Sequence, residues 1–167
     1  MTKIEAQNQI IARVQVYLEK AKELYGVTLN PTICFKLKGS TMGRAFCSKN
    51  KLQYNLTALE VEGAWDHLLE HTVGHEVAHL VQYNHPHFPK DRKNNPPHGR
   101  YWQKVMRDFE IKPERCHSFK MPSARVTITI KFTCKCKEHL VSKTIANRIS
   151  KGKVYNCLKC KNPIVRA

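Results

Sequence analysis

Apolar residues in the first third of the chain predict one helix and several short strands. Over residues 3–25 they return every three or four positions until Gly26, and this spacing predicts an amphipathic helix that ends at the glycine. Residues 28–37, 44–47 and 52–57 are short strand-like runs next to turn-forming residues, and we predict a strand in each. The front half is therefore expected to be a helix followed by a small sheet.

The strongest helical pattern lies in the middle of the chain. Residues 64–83 carry an apolar stripe at i, i+3, i+4 and i+7, which predicts a helix with Gly74 inside it. A glycine there would allow a neighbouring segment to approach closely. Residues 84–98 contain four prolines and are predicted to be a loop. Residues 99–109 again place apolar side chains on one helical face, which predicts a shorter helix.

The last third of the chain has a weaker pattern. Residues 112–125 are predicted to be a linker. A strand is predicted where apolar and polar residues alternate, at Val126, Ile128 and Ile130. Residues 139–145 and 153–156 are candidates for further strands. We therefore predict two domains, residues 1–120 and residues 121–167.

The middle helix carries the sequence His75-Glu76-Val77-Ala78-His79, an HExxH motif. Residues four apart lie nearly on one helical face, so both imidazoles can reach one zinc ion at about 2.1 Å. Zinc lowers the pKa of a coordinated water towards 7, and Glu76 is placed to accept its proton. The competing interpretation is a solvated polar face. The strongly helical context, with both histidines off the apolar stripe, favours a metal site.

A catalytic zinc site requires a third protein ligand, and four histidines are candidates for it: His71, His85, His87 and His98. His71 and His79 are eight residues apart, a rise of about 12 Å, so they cannot both bind one ion together with the histidine between them. His85 has the position of the third ligand in HExxHxxGxxH, but Gln82 stands where that pattern needs a glycine. His98 follows the proline loop, which could return it to the motif. The residues alone leave the third ligand open.

Seven cysteines are present, and four of them form two close pairs: Cys134, Cys136, Cys157 and Cys160. The CxC and CxxC pairs are separated by twenty residues, which is typical of a zinc ribbon with four thiolates around one structural ion. In a reducing compartment such pairs favour metal binding over disulfides. His139 is not expected to replace a cysteine. The isolated cysteines are predicted to be small buried apolar side chains: Cys34, Cys47 and Cys116.

Positive charge is concentrated in the second half of the chain. The net charge is +16; residues 1–89 contain 9 Lys/Arg and 8 Asp/Glu, whereas residues 90–167 contain 20 and 5. Such a basic half indicates a polyanionic partner, most often nucleic acid bound through its phosphates, and a solubilising surface is the alternative. We find neither an apolar run of membrane-spanning length nor a secretory signal, so we expect a cytoplasmic protein.

The motifs in combination resemble the SprT family of zinc metallopeptidases. HEVAHLV at residues 75–81, followed after a loop by PPHGRYWQKVM at residues 96–106, is similar to the HExxH helix and the distal HGxxW element of its bacterial members. Gly43-Arg44-Ala45 and the strand before the helix are similar to the front half of that family. The paired cysteines match a ribbon that SprT proteins carry at this place. The resemblance covers about residues 5–163.

Several expectations follow from this resemblance. It implies an α+β fold with a zincin-like metalloprotease core and a C-terminal β zinc ribbon. It implies that His75, His79 and His98 bind a catalytic zinc and that Glu76 is the catalytic residue. It also implies that the four paired cysteines bind a second, structural zinc. The SprT family is similar to the protease domain of Spartan, which digests proteins crosslinked to DNA, so protein substrates near DNA are implied by analogy.

Two hypotheses about function follow. The first is an endopeptidase that uses a zinc-activated water, with Glu76 as general base, on protein substrates that include DNA-associated proteins. The second is a DNA-binding or other nucleic-acid-binding zinc protein with a regulatory role and a weak or idle hydrolase core. Glu76 favours the first hypothesis, because a purely structural zinc site does not need that carboxylate. Spacing does not identify a group that stabilises an oxyanion; the candidates are Arg100, Tyr101 and His117.

Overall fold

The computed structural model of the chain describes residues 1–122 and 128–167. The chain divides into two compact units, Met1–Ala124 and Arg125–Ala167. Each unit combines helical segments with a small sheet of its own, so the predicted α+β class is confirmed. Val126, used to predict the first C-terminal strand, lies outside the described residues. Within those residues, no helix has both the length and the apolar character needed to cross a membrane.

The first unit begins with helix α1, Lys3–Tyr25, as its periodicity predicted. A capping box closes its N-terminus: Oγ1 of Thr2 accepts from the N–H of Glu5 at 3.2 Å, and the carboxylate of Glu5 accepts from the N–H of Thr2 at 2.8 Å. Gly26 ends the helix with a φ of 64°, in the left-handed region that favours glycine. The buried face of α1 packs against the central helix of the unit.

A small sheet follows, made of β1 (Thr32–Cys34), β2 (Gly43–Phe46) and β3 (Lys51–Tyr54). The strand order is β1-β3-β2, with β1 parallel and β2 antiparallel to β3. All three predicted strands are present, although the first spans three residues rather than the whole of 28–37. Strand β2 lies at one edge of the sheet and packs against the central helix, which brings the sheet close to the HExxH motif.

The central helix contains a π-helical turn. Residues 64–83, predicted as one helix, form α2 (Ala64–His67), the π turn (Leu68–Thr72) and α3 (Val73–Asn84), with right-handed helical backbone at both junctions. Turns of this kind occur frequently at functional sites, because the extra residue changes which side chains face one direction. Here the π turn directly precedes the segment of α3 that carries the motif.

Gly74 allows α3 to pack closely against two neighbouring segments. A Cβ atom at this position would lie 2.1 Å from Cδ1 of Ile111 and 3.0 Å from Cζ of Tyr17. The sequence predicted a close approach here, and the structure shows that side chains of two neighbouring segments make it. The glycine therefore lets α3 pack between α1 and the segment that follows the next helix.

The loop after α3 is held in place by polar side chains. It leads to α4, Arg100–Asp108, which matches the predicted second helix. The amide nitrogen of Gln82, a residue only 5% exposed, donates to Oδ1 of Asn95 at 2.5 Å and to the carbonyl oxygen of Pro96 at 3.0 Å. These bonds fix the proline-rich loop against the end of α3, so the loop delivers the residues after it to a defined place.

The core of the first unit lies between α1, the sheet and the helices α3 and α4. Its largest fully buried side chains are Trp102, Tyr54, Phe109, Ile10, Met42, Leu52, Leu68, Leu80 and Met106. Burying apolar area stabilises a fold by about 25 cal/mol per Å², so this cluster is the main support of the central helix. The HExxH motif is thereby placed on a helix that is buried in this core.

The second unit is a three-stranded antiparallel sheet with one helix. The strand order is β5-β4-β6, for β4 (Thr129–Thr133), β5 (Glu138–Ser142) and β6 (Val165–Arg166). Helix α5, Lys143–Ser150, follows β5 directly, and Oγ of Ser142 caps it by accepting from the N–H of Ile145 at 3.4 Å.

Helix α5 corrects the prediction of a strand over residues 139–145. The strand ends at Ser142, where the serine cap begins a helix whose Ile145, Ala146 and Ile149 face the small apolar cluster of this unit at helical spacing. The strand predicted over residues 153–156 is also wrong, since only an isolated bridge at Asn156 forms there. The first error arises because short apolar runs do not distinguish strands from helices.

Candidate active site

Three histidine rings converge at the surface of the central helix. Nε2 of His98 lies 3.1 Å from Nε2 of His75 and 3.0 Å from Nε2 of His79. The first two come from α3, one helical turn apart, and His98 comes from the end of the loop before α4. The three ligand atoms lie within 4.8 Å of one another, so the group could hold a metal ion.

The geometry of the three nitrogen atoms fits a tetrahedral zinc site. Nitrogen ligands at about 2.05 Å from one tetrahedral zinc are about 3.3 Å apart, close to the distances from His98 observed here. Hydrogen bonds alone do not account for the arrangement, because a neutral imidazole has a single N–H and Nε2 of His98 can donate to only one of its neighbours. The donor set therefore fits a metal ion better than a cluster of hydrogen bonds.

His98 has an uncommon backbone conformation. Its φ is 61°, in the left-handed region that residues other than glycine rarely adopt. Such strain costs on the order of 1–3 kcal/mol and is most often found at functional sites, where the surrounding structure imposes it. Here the carbonyl oxygen of His98 accepts from Nε2 of Gln103 at 3.1 Å. The loop and the first turn of α4 together hold the third histidine.

Trp102 supports all three histidine rings. The centroid of its indole lies 4.7 Å from the ring centroid of His75, 5.6 Å from that of His79 and 4.7 Å from that of His98. Nε1 of Trp102 also donates to the carbonyl oxygen of His75 at 3.3 Å. The tryptophan is 1% exposed, so a rigid aromatic side chain forms the floor of the histidine cluster.

The two helical histidines are held in their neutral, metal-binding form. Burial, with the nearby His79 and His98, lowers the pKa of His75 to about 2. Burial, with the nearby His98, likewise lowers the pKa of His79 to about 4. A metal ion binds the unprotonated imidazole, so both rings are available as ligands at neutral pH.

Glu76 lies beside the histidines in a confined position. Its side chain is 7% exposed, and burial raises its pKa to about 8, opposed by the backbone of Ala45 and the charge of Arg44. Strand β2 passes directly over it, and Gly43 of that strand leaves the space that the carboxyl group occupies. The edge strand therefore encloses the glutamate of the motif without covering the histidines.

A cavity of about 390 Å³ opens over these groups and is lined by Glu76 and the three histidines. One wall is the segment after α4, including Glu114, Arg115 and His117. This segment is tied to the central helix where Nε2 of His71 meets the carbonyl oxygen of Lys112 at 3.0 Å. The histidine cluster and Glu76 are thus reached through this cavity.

The other histidines and the oxyanion candidates are placed differently. His71 lines the cavity but bonds the backbone, and the ring of His85 stacks on Phe88 with centroids 4.0 Å apart. Among the oxyanion candidates, His117 lines the cavity, whereas Nη2 of Arg100 donates to the hydroxyl of Tyr101 at 2.9 Å. Of the four candidates for a third ligand, only His98 joins the metal-binding group of the described residues.

The four paired cysteines of the second unit form another candidate metal site. Sγ of Cys134 lies 3.5 Å from Cys136 and 3.6 Å from Cys160, and Cys136 lies 3.7 Å from Cys157. Sulfur ligands about 2.3 Å from one tetrahedral zinc are about 3.8 Å apart. The spacing fits a closed structural site. Nε2 of His139 lies 3.2 Å from Sγ of Cys134, next to the site and outside the group of four.

The isolated cysteines differ from the prediction of burial. Cys34 and Cys47 are half-buried and Cys116 is exposed. Cys116 lies on the segment that lines the cavity, where the backbone follows the surface of the unit rather than entering the core. Cys47 also lines the cavity, with Sγ 3.5 Å from the carbonyl oxygen of His79, and the sequence contained no signal for this position.

Comparison with known proteins identifies the family. The profile of the SprT-like family matches residues 13–127. The chain is 36% identical to Protein SprT of Pseudomonas paraeruginosa and 35% identical to Protein SprT of Pseudomonas aeruginosa (strain UCBPP-PA14), with 92% of each chain covered in both cases. It is 30% identical to Protein SprT of Pasteurella multocida, over 94% of this chain and 92% of that protein. No solved structure matches the chain significantly. The chain belongs to the SprT-like family.

Proposed function

We propose that this protein is a zinc-dependent endopeptidase. The observation that carries the proposal is the position of Glu76: its carboxyl group lines the same cavity as the three converging histidine nitrogens. A purely structural metal site has no need of an enclosed carboxylate beside its ligands. The cavity is also open, so a polypeptide can reach the cluster.

Each residue of the site has a defined task in this proposal. His75, His79 and His98 would hold the ion, and Trp102 keeps their rings in place. Zinc bound there would act as a Lewis acid towards water and towards a substrate carbonyl. The charge of a bound ion would oppose the effect of burial on the pKa of Glu76 and favour its ionised form. The carboxylate would then accept a proton from the attacking water and return it to the leaving amine.

The decisive experiment compares the wild-type protein with Glu76→Gln. Both are loaded with zinc, their metal content is measured, and each is incubated with casein and with a DNA-binding protein, with and without DNA. We expect cleavage by the wild type and none by the variant, at equal zinc content. Cleavage that persists in the Glu76→Gln variant, or its absence from the wild type under all conditions, would contradict the proposal.

We further propose that the second unit binds a polyanion such as DNA. Among residues 128–167 it has a single acidic residue, Glu138, and ten exposed basic residues: Lys131, Lys135, Lys137, Lys143, Arg148, Lys151, Lys153, Lys159, Lys161 and Arg166. Such a surface binds phosphates through charge and does not read base sequence. Nζ of Lys131 lies 3.6 Å from Oε2 of Glu138, and this one ion pair neutralises little of the positive charge of the unit.

This second proposal predicts a specific dependence on salt. We expect affinity for DNA to fall steeply as salt rises and to be similar for unrelated sequences. The measurement is fluorescence anisotropy of labelled DNA over a salt series. Reversing charges on α5 with Lys143→Glu and Arg148→Glu should weaken binding and reduce the salt slope. Strong binding that is insensitive to salt would contradict the proposal.

A further inference from the structure

A second cavity of about 640 Å³ lies beside the metal-binding cluster. It shares three lining residues with the first cavity, Cys47, His79 and Pro97. His79 is one of the three converging histidines, so the two cavities meet next to the cluster. A polypeptide bound across the cluster therefore has space on both sides, and the residue next to the reacting bond can place its side chain in the second cavity.

The walls of this second cavity are well defined. One wall is the end of α3 and the other is the loop before α4, and Gln82 and Asn95 both line it. The bond between these two side chains, together with that from Nδ2 of Asn95 to the carbonyl oxygen of Pro89 at 2.8 Å, holds the walls at a fixed separation. The cavity is therefore built into the fold and is not a gap beneath a detached loop.

The charge of the lining is entirely positive. Of the residues that the structure describes, Lys90 and Arg92 line the second cavity and no aspartate or glutamate does. Nζ of Lys90 donates to the carbonyl oxygens of Tyr83 and His85, both at 2.8 Å, which fixes this ammonium group at the C-terminal end of α3. Arg92 is exposed and has no hydrogen bond or salt bridge within residues 1–122 and 128–167. Its guanidinium is thus available to a carboxylate, which it can bind through two parallel hydrogen bonds.

The acidic residue between Lys90 and Arg92 in the sequence, Asp91, is engaged within its own loop. Asp91 accepts from the N–H of Asn94 at 2.9 Å and from Nδ2 of Asn94 at 3.0 Å, and it does not line the cavity. The carboxylate of Asp91 therefore accepts hydrogen bonds within its own loop and does not neutralise the lining of the cavity. The positive lining of the second cavity is left for a ligand.

We propose that this second cavity is a substrate subsite that takes the acidic side chain of an aspartate or glutamate next to the cleaved bond. The proposal rests on the proposed peptidase function, because it names the substrate class of the same site. Lys90 supplies a fixed positive charge and Arg92 the carboxylate contact. The subsite would direct the enzyme towards acidic stretches of its protein substrates.

The test measures binding, so that it does not depend on cleavage. Zinc-loaded Glu76→Gln protein is titrated with fluorescein-labelled, C-terminally amidated decapeptides of alanine, serine and glycine, each with one glutamate, glutamine or lysine at a single position. We expect glutamate at one or two adjacent positions to tighten binding by roughly threefold to tenfold over glutamine, and lysine to weaken it. Equal affinity for all three residues at every position would overturn the proposal.

Variants of the loop assign the preference to the cavity. In the same Glu76→Gln background, Arg92→Gln should abolish most of the preference for glutamate and Arg92→Glu should reverse it in favour of lysine. Lys93→Gln is the matched control, since it removes the same charge from the next residue, which does not line the cavity. A preference that survives Arg92→Glu, or that Lys93→Gln removes equally, would locate it outside the cavity and refute the proposal.

Two further arms of the experiment test whether the second cavity binds a different negatively charged group. A neutral decapeptide with a free C-terminal carboxylate tests a terminal carboxylate, and tighter binding of this peptide than of the glutamate peptides would replace the proposal with a carboxypeptidase-type site. The second arm adds a short single-stranded DNA as a competitor of the glutamate peptides. If the DNA competes, and if Arg92→Gln abolishes its binding, the cavity is a phosphate site instead. Failure of the wild type to cleave any protein would refute the peptidase function alone, because the binding preference is read without cleavage.

Discussion

A Cβ atom on Gly43 would lie 2.8 Å from Cγ of Glu76. It would also lie 2.6 Å from Cγ2 of Thr72. The backbone of Gly43 does not adopt a positive φ, so the requirement for glycine comes from space and not from backbone conformation. Strand β2 can therefore enclose the glutamate of the motif only because this position has no side chain.

We predict that Gly43→Ala lowers cleavage activity at least about tenfold. The added methyl group must displace Glu76 or Thr72, and such overpacking costs about 1–3 kcal/mol. Zinc content should be unchanged, because neither displaced side chain belongs to the metal-binding group. The measurements are kcat/KM on a peptide substrate and zinc content of the purified protein.

The double variant Gly43→Ala with Thr72→Ser provides the control. Serine lacks the Cγ2 atom, so it relieves the contact with Thr72 but not the contact with Glu76. We expect the double variant to regain thermal stability while activity stays low. Recovery of full activity in the double variant would show that displacement of Glu76 is not the cause.

We predict that His98→Ala and His71→Ala differ in zinc affinity. Loss of a residue that only supports a metal ligand typically weakens metal binding by about 10- to 100-fold. His98→Ala removes a ligand itself, so we expect it to weaken zinc binding by more than about 100-fold. His71→Ala should change it by less than about threefold, because Nε2 of His71 bonds the backbone of Lys112. Competition with a chromogenic chelator measures both. Equal losses would contradict the assignment of His98.

We predict that Gly74→Ala destabilises the first unit by about 1–3 kcal/mol. The new methyl group would overlap Cδ1 of Ile111, which lies 2.1 Å from its position. Ile111→Val removes this atom and alone costs about 0.5–1.5 kcal/mol. The double variant should therefore be more stable than the sum of the two effects. Urea unfolding of the four proteins gives the coupling, and strict additivity would show that the two groups do not meet.

We predict that Cys160→Ser reduces bound zinc from two equivalents to one. Loss of one thiolate opens the closed cysteine site, and such small units depend on their metal for folding. Cleavage of a short peptide without DNA should persist, because the histidine cluster lies in the other unit. Cys34→Ser, which changes a half-buried cysteine outside both groups, is the control. Two equivalents of zinc in Cys160→Ser would contradict the prediction.

The regular elements of the first unit were well predicted because each depends on local periodicity. The apolar residues of α1 and α3 recur along one helical face, and Thr2 and Gly26 supply the caps. The errors are in the second unit, where Ser142 begins a helix within a predicted strand. The eight residues of α5 contain three apolar positions, a pattern that fits a strand or a helix. The sheet against which these residues pack decides between the two.

The sequence by itself determined the parts of the site that are close together in the chain. The spacing of His75 and His79 places both on one helical face, and the two cysteine pairs have ligand spacing before any fold is known. Only the tertiary structure decided which distant groups join them. The bonds of Gln82 to the loop bring His98 to the helical pair, and a strand edge brings Gly43 over Glu76. The physical reason is that such contacts depend on how loops close and elements pack, and no local period encodes either.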